Sequence, residues 1–172
     1  VYKRQVPVVN DLQSYTLPIS TPFVLDATAT DVNTTDVLTY TWEQLDKEQV
    51  IAPPISTAVN GPAFRSVAPS TSSKRYFPNQ NTVIENLLFN TWEMLPSVGR
   101  TMKFGVNVRD NNSNGGQSAS KETVLTFNAA SGPFKVTSQA SAIVWNAGEN
   151  KTITWNVACL LYTSDAADDL LC

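Results

Sequence analysis

The stretch Met102-Lys-Phe-Gly-Val-Asn-Val108 alternates apolar residues with polar or small ones along its whole length. In an extended chain, successive side chains point to opposite faces. The side chains on one face of this stretch are those of Met102, Phe104, Val106 and Val108. The pattern therefore predicts a β-strand with one face in the core of the protein.

A second alternating stretch, Leu38-Thr-Tyr-Thr-Trp42, places Leu38, Tyr40 and Trp42 on one face of another predicted strand. Alternation of this kind is typical of half-buried strands. It is found in runs rich in Thr, Val, Phe and Tyr at residues 15–28, 37–43, 101–109 and 122–128. The core is therefore expected to be built from strand faces, with Trp42 inside it.

The segment Asp110-Asn-Asn-Ser-Asn-Gly-Gly-Gln117 separates the last two of these runs. Asn and Gly tolerate positive φ, and Asp and Asn side chains cap their own turns, so we expect a hairpin loop there. Short strands at this spacing, with a Trp in an early central strand, predict an all-β fold. The predicted architecture is an immunoglobulin-like antiparallel β-sandwich over residues 6–130.

Residues 51–100 are less regular and hold six of the ten prolines. We interpret them as an irregular insertion with some structure of its own, because structureless loops of that length are uncommon in compact domains. Within them, Asn81-Thr-Val-Ile-Glu-Asn-Leu-Leu-Phe89 predicts a short helix. Asn81 or Thr82 would be its N-cap, and Glu85 would complete a capping box with Thr82.

A new strand pattern begins after the short linker Ala129-Ala-Ser-Gly132. It consists of three runs, at residues 134–137, 142–145 and 151–157. About 27 residues are too few to close a sandwich alone, because independent folding is marginal below about 40 residues. Residues 132–158 are therefore interpreted as the first strands of a second, truncated β-sandwich.

The composition excludes several classes of function. The chain has 172 residues, a net charge of −3 and no histidine, so it has no His-based catalytic triad, His-containing zinc site or haem ligation through His. Its 12 basic residues are scattered among 15 acidic ones, so nucleic acid is not an expected partner. No apolar run approaches the roughly 20 residues of a membrane helix, so no membrane span is expected. We predict no catalytic, cofactor-binding or metal-binding residues, and no cofactor.

Both ends of the chain resemble translated sequencing adaptor. Cys159-Leu-Leu-Tyr-Thr-Ser164 can be encoded by TGT CTC TTA TAC ACA TCT, which resembles the transposon-end sequence used to build sequencing libraries. Val1-Tyr-Lys-Arg-Gln5 can be encoded by GTG TAT AAG AGA CAG, whose reverse complement overlaps that DNA almost completely. Residues 1–5 and 159–172, which include both cysteines, are therefore interpreted as foreign, and residues 6–158 as natural protein.

A series of short motifs, taken in order, resembles one protein family. The motifs lie at residues 29–43, 61–65 (Gly-Pro-Ala-Phe-Arg), 74–78 (Lys-Arg-Tyr-Phe-Pro), 91–96 (Thr-Trp-Glu-Met-Leu-Pro) and 100–111. The series resembles the region after the catalytic domain in secreted reprolysin-type zinc metallopeptidases of bacteria, especially the Bacteroidetes type. Gly132-Pro-Phe-Lys-Val-Thr137, together with Thr152-Ile-Thr-Trp-Asn156, resembles the start of the next β-sandwich module in the same proteins.

The resemblance implies a non-catalytic accessory module of a secreted zinc metallopeptidase, acting as a spacer, a stabiliser or a substrate-positioning domain. Its partners would be the neighbouring domains of the parent chain and a protein or glycan substrate, outside the cell or at its surface. The His-Glu-x-x-His helix that holds zinc in that family does not occur in this chain, so the chain itself is expected not to be an enzyme. The alternative is an extracellular binding or adhesion module for glycan or protein, because sandwich folds host many functions.

One acidic segment invites a metal-binding interpretation. Asp31, Asn33 and Asp36, with Asp26 nearby, could supply oxygen ligands to calcium. The spacing departs from an Asp-x-Asp-x-Asp pattern, and one carboxylate is replaced by an amide. We therefore favour an Asx turn, which Asp and Asn form without a metal. Residues 110–114 carry one carboxylate among amides and are interpreted as a turn for the same reason.

Two pairs of carboxylates could be considered for glycoside hydrolysis: Glu43 with Asp46, and Glu85 with Glu93. Such catalysis depends on a separation of about 5–9.5 Å between the two carboxyl groups in space. Nothing in the spacing of these residues along the chain indicates that separation. We therefore favour the interpretation that they are scattered, solvated acids.

A basic and aromatic group is the remaining candidate for a binding surface. It consists of Arg65, Lys74, Arg75, Arg100, Phe64, Tyr76, Phe77 and Trp92. Exposed together, such rings and cations could stack on sugars or guanidinium groups. The interpretation that we favour is that the aromatic rings pin the irregular segment to the core while the cations stay in water, because aromatic burial dominates core energetics.

We expect the source genome to encode other residues before Val6 and after Ala158. Inverted copies of one adaptor would explain both ends of the chain at once. Re-amplifying the locus from source DNA and sequencing across both junctions tests this expectation. Finding the present termini in the genome would contradict it.

Overall fold

The computed structural model describes residues 5–138 and 141–156. In these ranges the chain is nearly all strand, with one five-residue helix, α1 (Gln80–Ile84). The strands are β1 (Val8–Val9), β2 (Tyr15–Pro18), β3 (Phe23–Asp26), β4 (Ala29–Thr30), β5 (Thr39–Gln44), β6 (Lys74–Phe77), β7 (Phe89–Asn90), β8 (Glu93–Met94), β9 (Arg100–Arg109), β10 (Ser118–Asn128), β11 (Lys135–Val136) and β12 (Trp155–Asn156). Apart from Gln5, the ends interpreted as adaptor lie outside the described residues.

The largest sheet has four strands in the order β2-β10-β9-β5. Its centre is the long hairpin of β9 and β10, in which Val108 pairs with Ala119 and Met102 with Leu125. The predicted hairpin loop at residues 110–117 is confirmed, since it connects these two strands. Strand β5 is antiparallel to β9, whereas β2 runs parallel to β10 and is the exception to antiparallel pairing in this sheet.

The inner face of this sheet is apolar, as the alternation of residues 102–108 predicts. Met102, Phe104, Val106 and Val108 are each at most 1 % exposed. Leu125 and Phe127 of β10 are buried on the same side, and Trp42 of β5 is 3 % exposed. The predicted core position of Trp42 is therefore confirmed.

A second layer covers this face and is built around the antiparallel pair β3 and β6. The Phe23 and Phe77 rings stack with centroids 4.9 Å apart, and Phe77 meets Phe104 of the large sheet edge-on at 5.0 Å. Offset and edge-to-face ring pairs add roughly 0.5–1.5 kcal/mol beyond the area that they bury. The predicted all-β, sandwich-like fold is thus confirmed, and the immunoglobulin-like arrangement stays a prediction.

The segment at residues 51–100 contributes directly to this second layer. It supplies β6, whose Phe77 is fully buried between the layers. It also supplies the small hairpin of β7 and β8, and a single bridge joins Phe64 to Glu93 at its edge. The part of the chain that reads as irregular in sequence therefore forms much of the core opposite the large sheet.

Helix α1 is shorter than the sequence predicts, and its cap lies elsewhere. The Oδ1 atom of Asn79 accepts a hydrogen bond from the backbone N of Thr82 at 3.1 Å, so Asn79 is the N-cap in place of Asn81 or Thr82. Glu85 is at the C-terminal end of the helix and forms no capping box. The helix stops because Asn86 adopts a positive φ of 59°, which lets Leu87 N donate to Thr82 O in a Schellman-type turn.

After the linker, the short strands β11 and β12 pair with each other, and Thr137 N donates to Thr154 O at 2.8 Å. Two of the three predicted runs thus contain strand, over fewer residues than predicted. The run at residues 142–145 contains none, and its side chains Ile143, Val144 and Trp145 are each at least 50 % exposed. The second, truncated sandwich stays a prediction. None of the helices within the described ranges is long and apolar enough to cross a membrane.

Replacing Trp42 with Ala should lower the free energy of unfolding by about 3–5 kcal/mol, the usual cost of removing a buried Trp side chain. The indole also loses its hydrogen bond from Nε1 to Ser73 O at 2.9 Å. Urea denaturation followed by circular dichroism measures the change.

Trp92→Ala is the matched control, because Trp92 is 43 % exposed and should contribute much less to stability. Equal losses in the two variants would contradict the assignment of Trp42 to the core.

Candidate functional site

The acidic loop at residues 31–36 is closed by its own side chains. Asp31 Oδ1 accepts a hydrogen bond from the backbone N of Asn33 at 2.7 Å, which defines an Asx turn. Asp36 N donates to Asn33 O at 3.0 Å, and Asp36 Oδ2 accepts from Asn112 Nδ2 at 2.8 Å. Asp26 is used elsewhere, because its Oδ1 accepts from Ser73 Oγ. The described residues contain no group of three Asp, Glu, Cys or His side chains placed to hold a metal ion.

The predicted turn after β9 is held by a buried carboxylate. Asp110 is 2 % exposed, and its Oδ1 accepts from the backbone N of Asn112 at 3.2 Å and of Gln117 at 2.8 Å. Asn111 Nδ2 reaches across to Val37 O at 2.8 Å. This loop and the 31–36 loop therefore brace each other at one end of the sandwich.

Two of the four carboxylates considered for hydrolysis, Asp46 and Glu93, are used in contacts within the fold. Asp46 Oδ2 accepts from Gln44 Nε2 and from Lys103 N, so it ties β5 to β9. Glu85 lies exposed at the end of α1. Glu93, by contrast, is buried, and both of its oxygens accept hydrogen bonds. A carboxylate used in this way has no free oxygen with which to exchange a proton with a substrate.

The partner of Glu93 is Arg75, and the two form an ion pair of 3.1 Å with side chains only 4 % and 7 % exposed. Arg75 Nη1 donates to Trp42 O, and Nη2 donates to both Arg65 O and Glu93 Oε1. Its guanidinium also lies over the Phe77 ring, with Cζ 4.5 Å from the centroid. One side chain therefore joins β5, β6, β8 and the 61–65 segment.

The second oxygen of Glu93 collects three donors: Asn79 N at 3.0 Å, Asn79 Nδ2 at 3.0 Å and Asn90 Nδ2 at 2.8 Å. Burial alone would raise the pKa of Glu93, but these hydrogen bonds and the one from Arg75 outweigh it and hold the pKa below its ordinary value. Burial also lowers the pKa of Arg75, although Glu93 opposes that change. The pair is therefore charged at neutral pH.

Arg100 of β9 binds the backbone of the irregular segment near residues 58–61. Its Nη1 donates to Ala58 O at 3.0 Å and its Nη2 donates to Gly61 O at 2.6 Å. Gly61 has a positive φ of 72°, and a Cβ built there would lie 2.3 Å from Val50 Cγ1, so glycine fits this turn where other residues would be strained. Burial lowers the pKa of Arg100 below its ordinary value, and the negative charges of Asp46 and Glu48 oppose this change only in part.

The basic and aromatic group is therefore divided by the fold. Phe64 and Phe77 are buried, as the favoured interpretation predicts. The expectation that the cations stay in water is wrong for Arg75 and Arg100, because backbone carbonyls and, for Arg75, a carboxylate replace the water around their guanidinium groups. The members at the surface are Arg65, Lys74, Tyr76 and Trp92.

Two of these exposed members border a shallow apolar groove of about 160 Å³. Its other lining residues include Ile51, Pro54 and Phe64. Trp92 is 43 % exposed and Ile51 is 78 % exposed. Within the described chain, the Arg65 side chain forms no ion pair. The groove thus offers an indole, aliphatic surface and one free cation.

Comparisons with known proteins found no protein family, no curated protein and no solved structure that matches the chain.

Replacing Glu93 with Gln should lower the free energy of unfolding by about 3–5 kcal/mol, because it leaves the Arg75 guanidinium buried without its counter-charge. The effect should depend on pH. Since the folded-state pKa of Glu93 lies below the ordinary value of 4.5, its contribution is complete above pH 4.5 and is lost as the pH falls further. Urea denaturation at pH 7 and at several lower pH values measures both effects.

Asp11→Asn is the matched control. Asp11 also pairs with a cation, Lys121, but its side chain is 92 % exposed, so its loss should change stability little. A small effect of Glu93→Gln at pH 7, comparable with that of the control, would contradict the structural role of the buried pair.

Proposed function

We propose that the chain is a non-catalytic accessory module of a secreted zinc metallopeptidase, and that it helps to position protein substrates for the catalytic domain. The ordered resemblance of residues 29–111, and then of residues 132–156, supports the proposed context. The all-β fold supports a module role, because sandwich domains commonly act as independent units beside a catalytic neighbour.

The observation that carries the proposal is that three charged residues bind other parts of the fold and hold the irregular segment, residues 51–100, on the large sheet. Arg75, Glu93 and Arg100 point inward and are held by hydrogen bonds to three parts of the chain. These residues are therefore occupied in fixing residues 51–100 on the large sheet. A rigid segment that carries an exposed groove is suited to binding, since a preorganised surface loses less entropy when a partner is bound.

The groove at Trp92 is the surface that we assign to substrate positioning. Its walls are apolar, and aromatic and arginine side chains are the residues that most often dominate binding energy at protein interfaces. Arg65 stands at the rim, where a carboxylate of an extended polypeptide would find an unpaired cation. An unfolded or extended stretch of a large protein substrate would therefore suit this groove.

The second candidate is a binding module that acts at the cell surface without any protease. The same groove favours it, because an apolar surface with an exposed indole does not require a catalytic neighbour. The two candidates differ in what the gene encodes before Val6. A His-Glu-x-x-His helix would support the peptidase context, and further sandwich repeats would support the binding module.

In a parent peptidase, Trp92→Ala should lower the rate of cleavage of large protein substrates by roughly tenfold, the loss typical of one important interface residue. Cleavage of short peptides should be unchanged, since a short peptide cannot reach the module and the catalytic centre together. Rates on an unfolded protein and on a fluorogenic peptide, measured with the same enzyme preparation, provide the comparison.

Val32→Ala is the control for this experiment, because Val32 is also exposed, at 69 %, and lies in the 31–36 loop away from the groove. Equal losses on proteins and on peptides would indicate that the module only stabilises its neighbour. An upstream sequence without a zinc-binding helix would remove the peptidase context.

A further inference from the structure

A second concave surface lies where the loop between β1 and β2 faces strand β3. It is a polar cleft of about 300 Å³, at the small end of the range of small-molecule sites. Its lining residues are Asn10, Asp11, Leu12, Gln13, Tyr15, Val24, Leu25, Asp26, Thr28, Trp42 and Thr123. Leu25 and Trp42 are buried core residues, so the cleft reaches down to the core between the two layers.

The loop that forms one wall of this cleft is held by two hydrogen bonds. Asn10 N donates to Thr28 O at 2.9 Å, and Thr123 Oγ1 donates to Gln13 O at 2.6 Å. Asp11 forms an ion pair with Lys121 of β10. The wall is therefore preorganised, and a ligand would not have to order it.

The charges at the cleft are balanced. Asp11 is paired with Lys121, and Asp26 lies 3.7 Å from Lys74 Nζ. The hydrogen bond and the charge of Lys121 hold the pKa of Asp11 below its ordinary value, so this carboxylate is ionised at neutral pH. An anionic ligand would meet these two carboxylates and no cation in the lining to compensate for its lost hydration.

The remaining polar groups have unused hydrogen-bonding capacity. The side-chain amides of Asn10 and Gln13 and the hydroxyls of Tyr15 and Thr28 form no hydrogen bond to any described residue. Amides both donate and accept, as hydroxyls do, so this set matches a ligand rich in hydroxyl groups. Tyr15 is also 50 % exposed and offers an aromatic ring at the edge of the cleft.

We propose that this cleft binds a neutral carbohydrate, one or two sugar units in length. The amides and hydroxyls would exchange hydrogen bonds with the sugar hydroxyls, and the Tyr15 ring would pack against the apolar C–H face of a pyranose. The two balanced ion pairs select a neutral sugar over an acidic one. The inference does not rest on the peptidase context, because it concerns residues of this chain alone.

The whole chain is titrated by isothermal calorimetry with a panel of neutral sugars: glucose, galactose, mannose, N-acetylglucosamine, maltose and cellobiose. Glucuronate is the charged comparison. We expect at least one neutral sugar to bind with a millimolar or lower Kd, and glucuronate to bind more weakly than glucose. Tyr15→Ala should weaken binding about tenfold, the effect of one aromatic contact, and Asn10→Ala should weaken it several-fold.

Phe89→Ala is the matched control, since it removes an aromatic side chain that is 52 % exposed and lines neither the cleft nor the groove at Trp92, so it should leave sugar binding unchanged. Circular dichroism checks that each variant is folded. If Tyr15→Ala does not fold, Asn10→Ala and Gln13→Ala carry the test, because both residues are exposed and their side chains form no hydrogen bond in the described chain.

Three outcomes would overturn the proposal. The first is that none of the neutral sugars binds at concentrations of tens of millimolar. The second is that glucuronate binds better than the neutral sugars. The third is that the folded cleft variants bind as the unchanged chain does, or that Phe89→Ala weakens binding as much as they do. None of these outcomes depends on a protease, so failure here is distinct from failure of the proposed positioning role.

Discussion

The buried ion pair between Arg75 and Glu93 is the constraint on which the arrangement of the second layer depends. A guanidinium with 7 % of its side chain exposed is stable only where every face of it meets a carboxylate, a carbonyl or an aromatic ring. Here those groups come from β5, the 61–65 segment, β8 and Phe77. Each of these elements must therefore keep its position for the charge to stay buried. Buried ion pairs often stabilise no better than apolar residues of the same volume, but removing one partner alone is costly because it leaves the other charge buried and unpaired.

The aromatic cluster provides the apolar energy that the ion pair does not. Phe23, Phe64, Phe77 and Phe104 have ring centroids between 4.9 and 6.1 Å apart, in stacked, edge-on and tilted pairs. Two of these rings come from the short pair of β3 and β6, which would be marginal as an isolated two-stranded sheet. The rings of Phe23 and Phe77 pack against Phe104 of the large sheet, so the pair of β3 and β6 is stabilised by contact with the ten-residue strand β9. The ion pair of Arg75 and the ring packing of Phe77 thus both hold strand β6 in place.

The sequence predicts the large sheet well, because a period of two specifies both the strand and its buried face. The hairpin of β9 and β10 and the burial of Trp42 follow from that rule alone.

The position of Arg75 is harder to predict. The period of two in Lys74-Arg-Tyr-Phe77 places Arg75 on the same face as the buried Phe77, whereas the charge of Arg75 favours an exposed position. The sequence does not indicate that Arg75 pairs with Glu93, because Glu93 lies 18 residues away along the chain and only the fold brings the two side chains together. The cleft at Tyr15 has no signature in the sequence for a similar reason, because its walls come from separate elements that form no local motif. The run at residues 142–145 shows the opposite error, because apolar residues alone do not form a strand without a neighbour to pair with.

The distribution of charge also bears on the kind of chemistry that this surface can perform. Catalysis by acids and bases needs a titratable group whose pKa is shifted toward neutrality and whose atoms are open to a substrate. In the described chain, the buried carboxylate Glu93 has its pKa shifted downward, away from neutrality, and both of its oxygens are occupied. The carboxylates at the cleft are held by lysines, and the free groups there are amides and hydroxyls. Groups of that kind recognise a ligand through hydrogen bonds and shape without exchanging protons with it. The charged side chains described above are thus used in ion pairs and hydrogen bonds within the fold, and the surfaces that remain are suited to binding. Both proposals therefore concern binding.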